Sequence, residues 1–546
     1  MLSSTSGSIA FGDDPVAMAA MYNELGAEGT VGTTTVLEYW LGHGSNLEAT
    51  AELLTEMREG LAAASRSGDL PSSFARDLVR YSVLSVLDPD AQGSFTSEYQ
   101  QWGNGASILE FYLREGDYSD DFFGAALDEL DEFERQSEGA PMWNYPNGQF
   151  PLNGIGLDSA TGPRTADPMA AALGRTADYP DTVQDFWTDR ELGDERQQYY
   201  FEQRDWSDDG FVGVTDSVLA LWEREEITAP NPEVSSLVGA FAGYIPDNEA
   251  FDVQSAQPAS SSMARLLSLT MPSGREAMLG TVAGTDLSEH TADMLGRSGY
   301  PDIDDQPFFE RGELDALAAV ALSSEEGRMQ LASAVAADRV ATLAYENLTS
   351  DTPGYQGLLE TSAQIEGFFR DAITDAAAAR GGQRDQMIAG FTTAVGVVTS
   401  SIPVPGADMV GDAANDFVEN LYKNAIKEIY GLPASHLTSE VGGSEAAART
   451  AEVLQSADEA YAVAINSVLP LIQMEAVNPT VMGDHWDVIL DGGTLADASR
   501  EQLEQMMRDS QAWMNNPSFL AEGVSVDMSD IMNEYAKEGG IDPSSF

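Results

Sequence analysis

Apolar residues in this chain return every three or four positions, and that spacing confines it to helices. Ala49, Leu53, Leu54, Met57 and Leu61 mark one face of a helix for which Asn46 is the expected N-cap. The pattern recurs at Phe211, Val214, Val218, Leu221 and Trp222, and at Val410, Ala414, Phe417, Leu421 and Ala425. It returns at Val453, Ala457, Tyr461, Ile465 and Val468, and at Leu503, Met506, Met507, Trp513 and Met514. Side chains three and four apart share a helix face, so each stripe is buried best against another helix. Strand-like alternation is scarce, and stretches such as 486–490 read either way. The expected fold is all-α, with multi-helix bundles in two or three packed modules.

Two breaks divide the pattern. Residues 139–168 are rich in Gly, Pro and Asn and cannot hold a helix. They form one long Gly/Pro-rich loop, and their Trp143, Tyr145, Phe150 and Leu152 imply that it packs against the body. The second break is 349–357. The expected division is an N-terminal helical module at 1–138, the loop at 139–168, a middle module at 169–348 and a C-terminal module at 357–546. A weak echo links Leu41-Gly42, Leu173-Gly174 and Leu295-Gly296. Each precedes a bulky apolar pair: Leu53-Leu54, Phe186-Trp187 and Phe308-Phe309. Such Leu-Gly steps suit helix ends, and a common way of joining two helices explains them as well as repeated modules do.

Charge narrows the partners. Ninety acids against 27 bases give a formal charge of −63. Phosphate backbones and anionic lipid heads are repelled by such a surface, so neither nucleic acid nor membrane is expected and a protein partner is. Only Lys423, Lys427 and Lys537 are lysine, which leaves 27 − 3 = 24 arginines. Salt adaptation, arginine-rich coding and a basic partner each account for this composition. The absence of cysteine excludes disulfides, thiolate nucleophiles and Cys-based zinc sites. The opening MLSSTSGSIAFGDDP lacks a basic region followed by an apolar stretch. The expected location is therefore cytoplasmic, or outside by a route without a signal peptide. The most apolar window, 387–404, has unbroken runs too short to span a bilayer and reads as a buried helix.

The most specific chemical pattern is a calcium loop, DWSDDGFVGVTD at 205–216. An EF-hand-like loop needs oxygen ligands at positions 1, 3, 5 and 12, a carbonyl at 7 and Gly at 6. Asp205, Ser207 and Asp209 fill the first three, Gly210 the turn, and Phe211 offers its carbonyl. Asp216 stands at position 12, where Glu usually gives bidentate ligation. The competing reading is that Asp208 or Asp209 caps a helix starting near Phe211. His43, His290, His436 and His485 are too scattered to form a local metal pair, and no nucleophile elbow or phosphate-binding glycine loop is present. No catalytic residues are assigned.

Leu41-Gly42 with Asn46 leading into a Leu-rich helix, together with Arg204-Asp205-Trp206-Ser207-Asp208-Asp209-Gly210-Phe211, resembles an uncharacterised family of large all-helical actinobacterial proteins. Some members carry an N-terminal WXG-type hairpin of the kind exported by type VII secretion. The likeness covers roughly residues 10–350, and implies an all-α fold with a link to secretion. Trp40-Leu41-Gly42 spells W-x-G, with no second helix in matching register evident from the sequence. Tyr300 to Asp304 spells the Y-x-x-x-D export signal but lies mid-chain. The functional expectation is a non-enzymatic helical interaction or structural protein, accessory to a secretion or intercellular-competition system. The alternatives are a secreted effector acting on a membrane or target through its C-terminal helices, and an enzyme with an unrecognised acidic site. Calcium titration of the wild type and Asp205→Ala by calorimetry tests the loop: binding there gives a heat that the variant loses.

Overall fold

The computed structural model describes residues 14–43, 47–87, 98–136, 166–225, 230–279, 307–349, 354–381, 383–402, 459–474, 476–478, 482–491, 493–495, 497–514, 520 and 526–541. Among them the fold is all-α, and the only β-type pairing is an isolated bridge between Val477 and Leu520. The chain divides into two compact units, 1–221 with 247–251, and 222–246 with 252–546. That division falls within the 169–348 stretch.

The first unit contains α1 (Pro15–His43), α2 (Leu47–Arg66), α3 (Ser73–Leu87), α4 (Glu98–Arg114) and α5 (Asp120–Gln136). These are followed by α6 (Pro168–Leu173), α7 (Pro180–Thr188), α8 (Gly193–Gln197) and most of α9 (Val212–Arg224). Gly26, at φ 70°, lets α1 bend without the steric cost a Cβ would carry. α1 and α2 lie against each other in opposite directions: the Tyr22 hydroxyl near the start of α1 donates to the Met57 carbonyl (2.6 Å) in the second half of α2. Trp40-Leu41-Gly42 lies in the last turn of α1. Leu54, Met57 and Leu61 are buried as the periodicity predicts, but Leu53 is 43% exposed. Leu53 lies about 100° from Leu54 and so at the edge of the buried face, and Ala49 of the same stripe is exposed as well. Phe211, Val214, Val218, Leu221 and Trp222 are all buried.

The second unit contains α10 (Pro232–Tyr244), α11 (Ser260–Leu269), α12 (Met271–Met278), α13 (Arg311–Ala321), α14 (Glu325–Thr349), α15 (Tyr355–Arg380) and α16 (Arg384–Ser401). After these come α17 (Glu459–Gln473), α18 (Asp487–Leu490), α19 (Arg500–Met514) and α20 (Met528–Glu538). Local chemistry sets several ends. Asn231 accepts from the Glu233 amide (2.9 Å) with Pro232 at the first helical position of α10. Glu310 and Glu313 form a reciprocal capping box at α13, and α15 stops at left-handed Gly381. Residues 330–344 of α14, 391–400 of α16 and 462–472 of α17 are buried on every side, which makes these three the central helices of the unit. α16 is thus the buried helix expected at 387–404. Among the described residues no helix is long and apolar enough to cross a membrane.

The ambiguous 486–490 stretch is helical: a 3-10 turn at Asp484–Trp486 leads into α18. Trp486 and Ile489, three apart, face inward while Leu490 is exposed, a spacing that only a helix provides. Of the 139–168 segment only Ala166, Asp167 and Pro168 are described, and Pro168 opens α6. Trp143, Tyr145, Phe150, Leu152, the 410–425 stripe, Val453, Ala457, Leu295-Gly296 and Tyr300 to Asp304 lie outside the described residues. Leu173-Gly174 does end a helix, with Gly174 as the C-cap, whereas Leu41-Gly42 is still inside α1.

Glu38 of α1 is 3% exposed; its Oε1 accepts from the Ser107 hydroxyl of α4 (3.2 Å), and its Oε2 has no partner among the described residues. Burial pushes its carboxyl up to about 8, against the smaller opposing pull of the Ser107 hydrogen bond. An unfolded chain releases this proton near 4.5, so the stabilisation is complete below that pH and is lost as pH rises toward 8. Glu38→Gln should therefore gain stability over wild type across that window, by about 1.4 kcal/mol per pH unit. Urea unfolding of both proteins at pH 5 and pH 8 measures it, and a constant difference contradicts the assignment.

Candidate functional site

α5 carries two faces that its sequence, DDFFGAALDELDEFERQ, makes plain. Phe122, Phe123, Ala126, Leu127 and Leu130 point into the core of the first unit. The acids occupy the remaining circumference, yet Glu129, Asp131 and Glu134 are buried too. A buried carboxylate is tolerated when cations and hydrogen bonds replace its water. Arginines supply both here. Arg80 of α3 makes a forked pair with Glu129, Nε to Oε1 at 2.5 Å and Nη2 to Oε2 at 2.9 Å. Asp131 accepts from Arg135 (2.7 and 2.9 Å) and from Arg196 of α8 (2.8 Å). Arg196 also donates to Asp128 (3.0 Å) and to the Phe186 carbonyl (2.9 Å), and lies 4.1 Å above the Phe186 ring.

Asp128, Glu129, Asp131, Arg135 and Arg196 line a cleft of about 360 Å³, with Arg76, Glu132, Asp189 and Leu192 completing its walls. Both oxygens of Asp131 already accept donors, so it is poorly placed to take a proton from a substrate. The Asp189 carboxylate accepts from the Glu191 and Leu192 amides (2.8 and 2.9 Å), and those bonds hold it below the ordinary carboxylate range. The cleft is a place of fixed, interlocked charge.

Beside it a second network anchors the Arg204–Phe211 turn. A short π-helix, Gln198–Gln203, precedes Arg204. The buried Arg204 guanidinium pairs with Glu134 (2.8 and 3.1 Å) and with Asp167 (2.8 and 3.0 Å), and lies 3.8 Å above the Trp206 ring. Burial works against its charge, but Asp167 and Glu134 together hold it firmly protonated. Asn248 fastens the same corner by donating to the Phe201 and Arg204 carbonyls (3.0 and 2.8 Å). Gly210 and Phe211 both adopt left-handed backbone, at φ 70° and 63°. For Phe211 this is a strained conformation, held in place by its fully buried ring, which meets Phe251 edge-on at 5.2 Å.

The turn places the five expected calcium ligands as follows. Asp205 is exposed and accepts from the Ser207 amide (2.8 Å), and Ser207 is exposed as well. The Asp209 carboxylate accepts from the Gly213 amide (2.6 Å), which caps α9. The Phe211 carbonyl accepts from the Thr215 amide (3.2 Å), and Asp216 lies on α9 with an interaction of its own. The geometry is that of a helix start, with Asp209 as the cap. Among the described residues no group of three or more His, Asp or Glu side chains gathers in a way that could hold a metal.

Sequence reading missed the Arg–carboxylate network, since with 90 acids in the chain no single acid marks itself as paired. It also missed a pair in the second unit: His485 shares a 2.6 Å hydrogen bond with Asp509, which accepts further from Trp486 (3.0 Å) and Gln505 (3.0 Å). His290 and His436 lie outside the described residues. Fold and site together define an all-α protein in which ion pairs join helices. Compared with protein-family models, with curated proteins and with solved structures, the chain matches none.

Replacing Arg204 by Met should destabilise the chain by about 3–5 kcal/mol, because Glu134 and Asp167 remain buried without their cation. Asp209→Ala should cost about 1 kcal/mol through the lost cap. Arg76→Ala, at an exposed guanidinium, should stay within about 0.5 kcal/mol of wild type. Denaturant unfolding of the three variants checks the order, and an Arg204 variant as stable as the Arg76 variant contradicts it.

Proposed function

We propose that this chain is a non-enzymatic helical interaction protein with a protein partner, accessory to a secretion or intercellular-competition system. The observation that supports the reading is that Trp40-Leu41-Gly42 closes α1, which packs against α2. α1 exposes Val36 and Trp40, one helical turn apart, at 55% and 56%. Apolar side chains more than half exposed and one turn apart suit contact with another helix. The net charge of −63 adds long-range attraction toward a basic partner and repulsion from acidic ones. Interlocked arginines and carboxylates lining the cleft fit a scaffold better than a centre for proton transfer.

Two measurements separate the parts of this reading. In the source organism, the chain should appear in culture filtrate only when the type VII secretion ATPase is intact. Retention in the lysate of both strains removes the link to secretion and leaves the interaction reading standing. The interaction itself is tested by in-cell cross-linking of wild type and Val36→Ser/Trp40→Ser. The variant should keep its thermal midpoint and lose most of its cross-linked partner; undiminished cross-linking sinks the proposal.

A further inference from the structure

Polar side chains run through the core of the second unit in an unbroken series. On α14, a helix of small and apolar residues, the adjacent Asp338 and Arg339 reach to different neighbours. Arg275 of α12 donates to Asp338 (3.3 Å) and to the Thr342 hydroxyl (2.9 Å). Arg339 donates through Nη2 to Glu366 of α15 (2.6 Å) and through Nε to the Ser362 hydroxyl (2.7 Å). Glu366 also accepts from Asn466 of α17 (3.2 Å), whose amide donates in turn to the Thr392 carbonyl of α16 (3.0 Å). Five helices are thus joined, and Arg339 and Glu366 are 0% and 1% exposed.

Small side chains alternate with larger ones such as Leu331, Leu343, Leu359 and Phe369 around this series. α14 presents Ala332, Ala336, Ala337 and Ala344, α15 presents Ala363 and Ala376, and all are buried. Gly396 on α16 sits so close to Asn466 that a Cβ there would lie 2.3 Å from its Oδ1. Small side chains make shallow ridges, and shallow ridges discriminate poorly between one packing register and the next. Buried ion pairs, by contrast, are weak sources of stability but severe penalties when broken.

We infer that the Arg339–Glu366 pair is a register lock: it selects one alignment of α14 and α15 among several that the alanine-rich surfaces would accept. The two helices run antiparallel. Arg380 donates to the Ser323 carbonyl at one end, Arg339 meets Glu366 midway, and the Tyr355 hydroxyl donates to Asn347 (2.7 Å) at the other. A slip by one helical turn, about 5.4 Å, would leave Glu366 buried without its guanidinium.

The test uses the full chain, whose lack of cysteine gives a clean background for spin labels. Labels at Glu326→Cys and Ala378→Cys, exposed positions near the Ser323–Arg380 end, report the alignment of α14 on α15 by electron–electron distance measurement. The wild-type background should give one narrow distance. Arg339→Met alone should lower the thermal midpoint sharply, because it strands Glu366. Arg339→Met with Glu366→Leu should keep or raise the midpoint and add a second distance population shifted by about 5 Å. A double variant that keeps one narrow distance overturns the proposal, because the alignment then survives without the pair. Loss of folding in the double variant also overturns it, since the pair would then be a source of stability.

Discussion

A guanidinium taken out of water must keep a carboxylate within reach, and this constraint organises both units. In the first, Arg196 and Arg204 bring separate segments onto one face of α5 through Asp131 and Glu134. In the second, Arg275 and Arg339 fasten α12 and α15 to the α14 residues Asp338 and Arg339 itself. Arginine suits the task because its planar fork donates in several fixed directions at once. Arg204 uses that fork to hold Glu134 and Asp167 together while its face lies on Trp206. A lysine would offer one compact charge and could not serve both carboxylates with the same geometry.

The same economy explains how a chain with so few bases is arranged. Arg196, Arg204, Arg275 and Arg339 are buried against acids, so part of its small stock of cations lies inside and acids outnumber bases outside by still more. Such a surface stays hydrated and repels its own copies, and salt screens the self-repulsion that would otherwise loosen the fold. Val36 and Trp40 are among several apolar side chains left exposed in that setting, with Val16 on the same helix.

Helical periodicity carried the fold in the sequence because burial of an amphipathic stripe leaves a regular mark. The stripe from Phe211 to Trp222 and the buried helix at 387–404 were legible for that reason. Leu53 was misplaced because apolar character alone does not say on which side of a stripe a residue lies. The candidate site was hardly legible. Asp131 and Glu132 are adjacent acids on α5, and nothing in their spacing says that the first is buried under Arg196 of α8 as well as Arg135, while the second is exposed. The calcium pattern at 205–216 is compatible with two uses of one arrangement. A carboxylate five positions into a loop can ligate a cation, or it can accept the free amides of the helix that follows. Asp209 does the second. The course of α1 escaped notice because the helix kinks at Gly26, which the periodicity does not encode.

Residues 330–344 of α14 have no solvent-facing side at all. Sequence drift on most helices is absorbed by the outward positions, where one polar residue serves as well as another. α14 has no such positions in its middle, and each change there meets a packed neighbour or one of the charges at Asp338 and Arg339. The acidic exterior can be rewritten almost freely so long as its sign persists. Ancestry in this protein is therefore recorded inside it: a distant relative with an unrecognisable surface would still be expected to carry an alanine-rich helix interrupted by an Asp-Arg step.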